Sequence, residues 1–402
     1  MNRLATLSKP LRFLFAIAFL VVAKGQAAVE LGIDRLEQQG YASLGGKRVG
    51  LITNQTGVNS RGERTRVLLR KNVNLVALFT PEHGLDGTEK AGRYVASRRD
   101  PATGLIAHSL YGPTRKPTPE MLRGIEVLVY DMQDIGCRSY TFISTMARCM
   151  EAAGELGIEF MVLDRPNPLG GDRVEGPPLD PGMTSFVGQL PVPYVHGMTV
   201  GELARMTAAK GWISARPRLS VIEMRGWKRS MLWRETGLRW VQTSPNIPRA
   251  DSCAYYVVTG LVGELAGLEI GVGSEAPFEI CASKTLNAEN LAAQMNRLRG
   301  PGLSFQPFRE RGFEGVRLRI DPGTEGNLCA VALHLLSAVN ASSQPDLFVR
   351  SPASKLDIFY KVYGSRSIRA LLENETPIIR ILDGWRRNNS RFESERGSYL
   401  LY

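Results

Sequence analysis

Glu82 is the side chain that most suggests chemistry. It stands in Phe79–Gly84 (FTPEHG), where an apolar run stops and a loop opens, so a carboxylate is delivered to the end of a strand. A related context, Thr118-Pro119-Glu120, leads into Met121-Leu122 and reads as a helix start that Gly124 ends. Glu82 instead precedes His83-Gly84, which favours a functional reading over a capping one. Asp131 and Asp134 follow the run Val127–Tyr130, and Asp164 with Arg165 follows Phe160–Leu163. For the last two, an ion pair between neighbours is the structural alternative. Two separated carboxylates in a cleft are the equipment of glycoside hydrolysis, one donating a proton and the other acting as base or nucleophile. Asn54, Gln133, Tyr140 and Asn167 fall at the same strand ends and are candidate sugar ligands by position. His83 and His196 would bind hydroxyls or orient Glu82.

Other chemistries find less support. The chain has four histidines and no HExxH or comparable spacing, so no metal is expected. No GxSxG elbow marks a serine hydrolase, and no Walker A loop or CxxC pair occurs. Gly271–Ala276 (GVGSEA) imitates a dinucleotide fingerprint, but Pro277 follows where a helix should open, so it reads as a turn with a glycine pair and no cofactor is implied.

The elements that must position these residues alternate. Arg48–Thr53, Leu75–Phe79, Val127–Tyr130 and Phe160–Leu163 are short, continuous apolar runs ending in polar residues, the pattern of strands buried on both faces of a parallel sheet. Helical patterns cover Tyr140–Leu156 and Val200–Lys210, the latter opened by a Thr199…Glu202 capping box that makes Glu202 structural. Open parallel sheets bind ligands beyond the carboxyl ends of their strands, where the polar clusters lie. The connections Leu85–Pro117 and Pro166–Met198 exceed ordinary loop lengths and read as walls of a cleft. From about Thr285 the pattern changes: helices over Leu286–Leu298, Cys329–Ala341, Ile368–Leu372 and Ile378–Arg386, and a strand over Val316–Ile320. The expected fold is α/β: a Rossmann-like, mostly parallel sheet domain over residues 28–284, joined to a smaller C-terminal α+β domain over 285–402.

The 402 residues carry a formal charge of +11. Arg3, Lys9 and Arg12 precede Phe13–Ala23, and Ala27-Ala28 follow, the layout of a secretory signal peptide cut near residue 27; an uncleaved anchor is the alternative. Export makes the expected location periplasmic or secreted, with no stable membrane insertion after cleavage. Cleavage removes four basic residues and no acidic ones, leaving +7, a balance that favours anionic partners. No dense Lys/Arg run with interleaved aromatics points to nucleic acid. Five widely spaced cysteines allow at most two disulfides.

The motifs at the strand ends resemble those of the NamZ family, exo-β-N-acetylmuramidases earlier described as a domain of unknown function. The resemblance rests on Leu51–Gly57 (LITNQTG), Phe79–Gly84, Asp134–Thr141 (DIGCRSYT), Arg165–Gly170 (RPNPLG) and Val174–Pro178 (VEGPP). His196–Leu203 (HGMTVGEL), Ser244–Pro248 (SPNIP) and Tyr399–Tyr402 (YLLY) complete it, so it spans nearly the whole mature chain. It implies a Rossmann-like domain with a smaller C-terminal one, and release of N-acetylmuramic acid from non-reducing ends of peptidoglycan fragments. It also implies that Glu82 is the catalytic glutamate, protonating the leaving oxygen, while Arg138 or Arg165 grips the lactyl carboxylate. The partner role falls to Asp131, Asp134 or Glu264, or to the substrate's own acetamido group. The chain departs from the family at Glu264–Gly267 (ELAG) and Gly271–Ser274 (GVGS), where Thr, Asn and Arg side chains usual in the family are absent. If those groups bind sugar, this member prefers a different sugar or chain end. In a second class of reading, the chain is a glycan-binding protein that kept the cleft without turnover.

Overall fold

Continuous apolar runs fold here as strands covered on both faces. The computed structural model describes residues 28–298 and 300–402; the expected signal peptide lies outside them. The strands are β1 (Arg48–Thr53), β2 (Asn74–Thr80), β3 (Arg98–Arg99), β4 (Ile106–Ser109), β5 (Val127–Asp131), β6 (Glu159–Leu163) and β7 (Leu219–Ile222). They form one sheet in the order β3-β4-β2-β1-β5-β6-β7, parallel except for the β3–β4 pair. Side chains alternate across it. Ile52, Phe79, Leu128 and Tyr130 enter one core with Phe142, Ile143 and Met146 of the helix α3. Leu51, Leu78, Val127 and Val129 enter a second with Ile33 and Leu36 of α1 and Leu69 of α2. The helices so far are α1 (Gly32–Gln38), α2 (Thr65–Asn72), α3 (Phe142–Glu155) and α4 (Val200–Lys210).

The α4 capping box is present: the Glu202 amide donates to the Thr199 hydroxyl, and Glu202 accepts from the Thr199 amide. The helix expected at Thr118–Gly124 does not form. Its backbone makes isolated turns, because Gly124 (φ +78°) cuts the segment before enough residues follow Pro119 to repay nucleation.

Beyond the short α5 (Ser252–Tyr255) lie β8 (Ile280–Ser283), α6 (Ala288–Met295), β9 (Leu303–Glu310) and β10 (Phe313–Ile320). These strands make an antiparallel sheet in the order β8-β10-β9, so the second sheet takes its first strand from upstream of residue 285. Arg311 and Gly312, both at positive φ, form the two-residue turn of the β9–β10 hairpin, as the right-handed strand twist requires. Helices α7 (Leu328–Ala341), α8 (Leu347–Arg350), α9 (Ala353–Tyr363), α10 (Ser367–Glu373) and α11 (Ile378–Arg396) follow. Among the described residues no helix is long and apolar enough to cross a membrane. All five cysteines are buried free thiols.

Candidate active site

The order of strands across the sheet reverses at β1: β2 and β4 lie on one side of it, β5 to β7 on the other. The carboxyl ends of β1, β2 and β5 therefore flank the crevice where open α/β sheets bind ligands. Asn54 pins the end of β1 by accepting from the amide and hydroxyl of Thr56 (2.9 and 2.6 Å). The Thr56 hydroxyl in turn accepts from the Gln133 amide beyond β5 (2.9 Å).

Glu82 occupies the second position of a turn closed by the Gly84 amide on the Pro81 carbonyl (3.1 Å). His83, the third residue, takes φ +69°, as the type II form of such a turn requires, a conformation histidine tolerates better than most residues. Its Nδ1 meets the Glu89 carbonyl at 2.7 Å; since a carbonyl only accepts, Nδ1 carries the proton. His83 thus braces the turn that presents Glu82.

Glu82 is 8% exposed. Oε1 accepts from the Gly92 amide and Oε2 from the Thr141 hydroxyl, each at 2.8 Å. Gly92 belongs to the first long connection and Thr141 caps α3, so two separate elements fix one carboxylate. Around it stand Tyr111, Tyr140 and Tyr256. Burial, then the nearby Glu82 charge, raises the Tyr111 pKa. Tyr256 is half-buried; burial first, and then the charges of Glu264 and Glu82 among others, raise its pKa, so both carboxylates lie within electrostatic reach of its phenol. Glu264 itself is open, its side chain 37% exposed and paired loosely with Lys355 (3.6 Å). Tyr140 stacks edge-on against Phe142 and Tyr256, and its hydroxyl donates to Thr243 (2.9 Å). The two long connections meet beside this group, where Tyr111 and Phe186 approach to 6.0 Å between centroids. Tyr94 on the first wall is 62% exposed.

The structure places the remaining candidates elsewhere. Arg138 is fully buried and donates to the carbonyls of Pro177, Val192, Val362 and Tyr363, so it cannot reach a substrate carboxylate. Arg165 is not paired with Asp164. Its Nε donates to Asp131 at 2.6 Å and its Nη2 to the Val58 carbonyl at 2.7 Å, which removes both Asp131 and Arg165 from free chemistry. Asp164 accepts from the Gly201 amide and the hydroxyls of Thr199 and Tyr402, and burial raises its pKa to about 7. Asn167 bridges the Met198 carbonyl and the Leu169 amide. These three side chains organise the backbone, as polar groups sealed from water must.

Asp134 and His196 are sealed in together, 3.9 Å apart. Burial raises the Asp134 carboxyl to about 7; burial, then the charges of Arg396 and Arg138, lowers His196 to about 3. Asp134 Oδ2 accepts from the Gly136 amide (2.7 Å), while its Oδ1 and the His196 Nε2 have no partner among the described residues. A carboxylic acid enclosed beside a neutral imidazole makes a poor nucleophile toward a sugar outside. Gln133 spends its amide on the Asp134 and Pro166 carbonyls, while its Oε1 has no partner among the described residues. It lines a separate groove with Thr56, Arg165, Trp233 and Arg239. Residues 242–243 stand beside that groove, gripped by the Gln55 amide (2.8 and 2.9 Å) and by Tyr140. Among the described residues no group of three or more His, Cys, Asp or Glu side chains could hold a metal ion. The Gly271–Ser274 stretch is a turn, the Ser274 amide donating to the Gly271 carbonyl (3.0 Å).

Sequence reasoning did not single out Thr141, Tyr111, Arg115, Phe186 or Tyr256. The signal for three of them was the length of the two connections, which carried no residue-level information.

Residues 49–251 match the family model described as exo-β-N-acetylmuramidase NamZ, N-terminal, and residues 254–402 match the C-terminal one. The peptidoglycan β-N-acetylmuramidase NamZ of Bacillus subtilis (strain 168) is 39% identical over 385 residues, 93% of this chain and 91% of the relative. Two DUF1343 family proteins of known crystal structure from Bacteroides fragilis NCTC 9343 are similar over 93% of this chain and 99% of theirs. One superposes with TM-score 0.87 at 42% identity, the other with 0.70 at 27%.

Proposed function

The chain belongs to the NamZ family of exo-β-N-acetylmuramidases, and from that premise we propose a peptidoglycan glycosidase that removes N-acetylmuramic acid from non-reducing glycan ends with Glu82 as general acid. The observation that carries the role of Glu82 is its pair of donors. The Gly92 amide cannot accept a proton, so Oε1 stays the carbonyl-like oxygen and the acidic proton belongs on Oε2. Thr141 can go on donating its hydroxyl to a lone pair of Oε2, which holds the carboxyl in place and leaves the Oε2 proton free to face the glycosidic oxygen. The proton passes from Oε2 to the glycosidic oxygen as the anomeric C–O bond breaks, and the leaving sugar departs as an alcohol.

The anomeric carbon is attacked either by a water or carboxylate on the Glu264 side or by the substrate's acetamido oxygen. Glu264 is the open carboxylate beyond Tyr256, whereas Asp131 and Asp134 are committed inside the protein. Residues 1–27 would direct the enzyme to the periplasm, where its substrate lies.

The test is release of a chromogenic phenol from a β-N-acetylmuraminide. Glu82→Gln should lower kcat by about 100-fold or more on a poor leaving group, with saturable sugar binding intact. Turnover at the wild-type rate refutes the assignment, and binding without turnover in either protein identifies a glycan-binding protein.

A further inference from the structure

We propose that Arg115 holds the carboxylate of the substrate's lactyl ether and thereby selects muramic over glucosamine ends. This rests on the reading of the Glu82 cleft as the glycosidase site. Two arginines that could have done this are spent, Arg138 on four carbonyls and Arg165 on Asp131. Arg115 is exposed, and its guanidinium rests against two aromatic rings.

Its position is built rather than incidental. The guanidinium lies 4.8 Å from the centroid of Tyr111 and 4.3 Å from that of Phe186, one ring from each wall. Aromatic contacts use the faces of a guanidinium, and its N–H donors lie along the edge, in the fork geometry that matches a carboxylate. The backbone is fixed on both sides: Thr114 bonds the Lys116 carbonyl, and Lys116 reaches Glu155 (2.6 Å) and Glu151 (3.2 Å) on α3. Little side-chain entropy is then left to lose on binding an anion. Tyr111 links the cation to the reaction centre by strand register: Ser109 pairs with Thr80 and the Leu110 amide donates to the Thr80 carbonyl (2.8 Å), which sets Tyr111 alongside the turn that carries Glu82. A sugar whose glycosidic oxygen meets Glu82 would bring its ring substituents to the meeting point of the walls.

The experiment compares two chromogenic substrates, the β-N-acetylmuraminide and its lactyl methyl ester, which keeps the shape and loses the charge. Wild type should prefer the acid in kcat/KM by about 30-fold, the scale of one charge-assisted contact. In Arg115→Met that ratio should collapse toward unity, and Arg115→Lys should recover part of it. An unchanged ratio in Arg115→Met, with an unaltered urea midpoint showing a folded protein, overturns the proposal. Calorimetric binding of N-acetylmuramic acid and its methyl ester separates this from the glycosidase reading. Discrimination in binding that vanishes in Arg115→Met, with no turnover in wild type, supports Arg115 while defeating the catalytic assignment. Equal binding of both sugars by wild type defeats Arg115 alone.

Discussion

Replacing Arg138 by Met should loosen the junction between the two domains rather than weaken sugar recognition. The guanidinium donates to Pro177 and Val192 at 2.8 Å each through Nη1, and to Val362 and Tyr363 at 3.3 and 2.8 Å through Nη2. The last two carbonyls end α9, so one buried cation ties the C-terminal helices to the second wall of the cleft. The site is packed tightly: a Cβ on Gly364 would sit 2.3 Å from Nη2. Burial lowers the Arg138 pKa to about 10, so the group is still charged at neutral pH. A hydrogen bond to a charged donor contributes about 1.5–3 kcal/mol net, and a buried carbonyl left bare costs about 1–3 kcal/mol. Against this, the variant no longer desolvates a cation, which brings the expected loss to about 4 kcal/mol. With a urea slope near 3 kcal/mol per molar, the unfolding midpoint should fall by about 1 M. Lysine should not rescue it, because an ammonium cannot span four carbonyls set for a planar fork. A midpoint within about 0.2 M of wild type, paired with a large rise in KM for the muraminide, would refute the reasoning and return Arg138 to the substrate.

Thr141→Val removes the hydroxyl that holds Glu82 Oε2 and should lower kcat by about 10-fold with KM little changed, the worth of one charge-assisted bond; a purely structural role would show in the melting temperature instead. Asp134 titrates near 7 in the folded protein against an ordinary 3.8, so the native state holds its proton more tightly. Its stabilising contribution is therefore complete below about pH 4 and is lost as pH rises through 7. Asp134→Asn, neutral throughout, should remove the loss that this carboxyl causes as pH rises from 4 to 7 and gain on wild type by about 5 °C at pH 8. His196 runs the other way, its stability lost as pH falls from 6.5 toward 3, and this acid limb should stand out in the variant. Identical pH profiles for the two proteins would contradict the raised Asp134 pKa.

The parallel sheet was legible because burial on both faces leaves a simple mark. Leu51 and Ile52 enter opposite cores, so both must be apolar, and the run Arg48–Thr53 carries no alternation. The mark fades at edges. The strand β7 is half-buried, β3 is two exposed arginines, and neither was foreseen. In the second domain, α11 runs to Arg396, ten residues past the expected Arg386, because its later turns bury only Asn389, Phe392 and Arg396. The loop that opens at Glu82-His83-Gly84 was legible, and the chain turns there. Arg138 and Asp164 were misjudged as ligands because sequence shows that a polar residue sits at a strand end but not where its hydrogen bonds go. In a sealed environment the nearest backbone claims them first.

That claim explains why the second domain matters to a candidate site whose proposed acid lies in the first. Tyr402 donates to Asp164 and accepts from the Met224 amide (both 2.8 Å), while the Leu401 amide donates to Glu202 (2.9 Å). Arg396 donates to the carbonyls of Gly171 (2.9 Å), His196 (3.2 Å) and Gly197, and Arg138 grips the end of α9. Gly171, His196 and Gly197 all belong to the second wall, the connection that also carries Phe186. A connection of this length, left to itself, has many conformations to lose. Buried charges that bridge this wall and the C-terminal helices, Arg396 from one side and Arg138 from the other, take that freedom before any sugar arrives, and Phe186 can then meet Tyr111 and Arg115. The C-terminal domain thus acts on the chemistry through rigidity: it holds one wall still while β2, Gly92 and Thr141 hold the carboxylate.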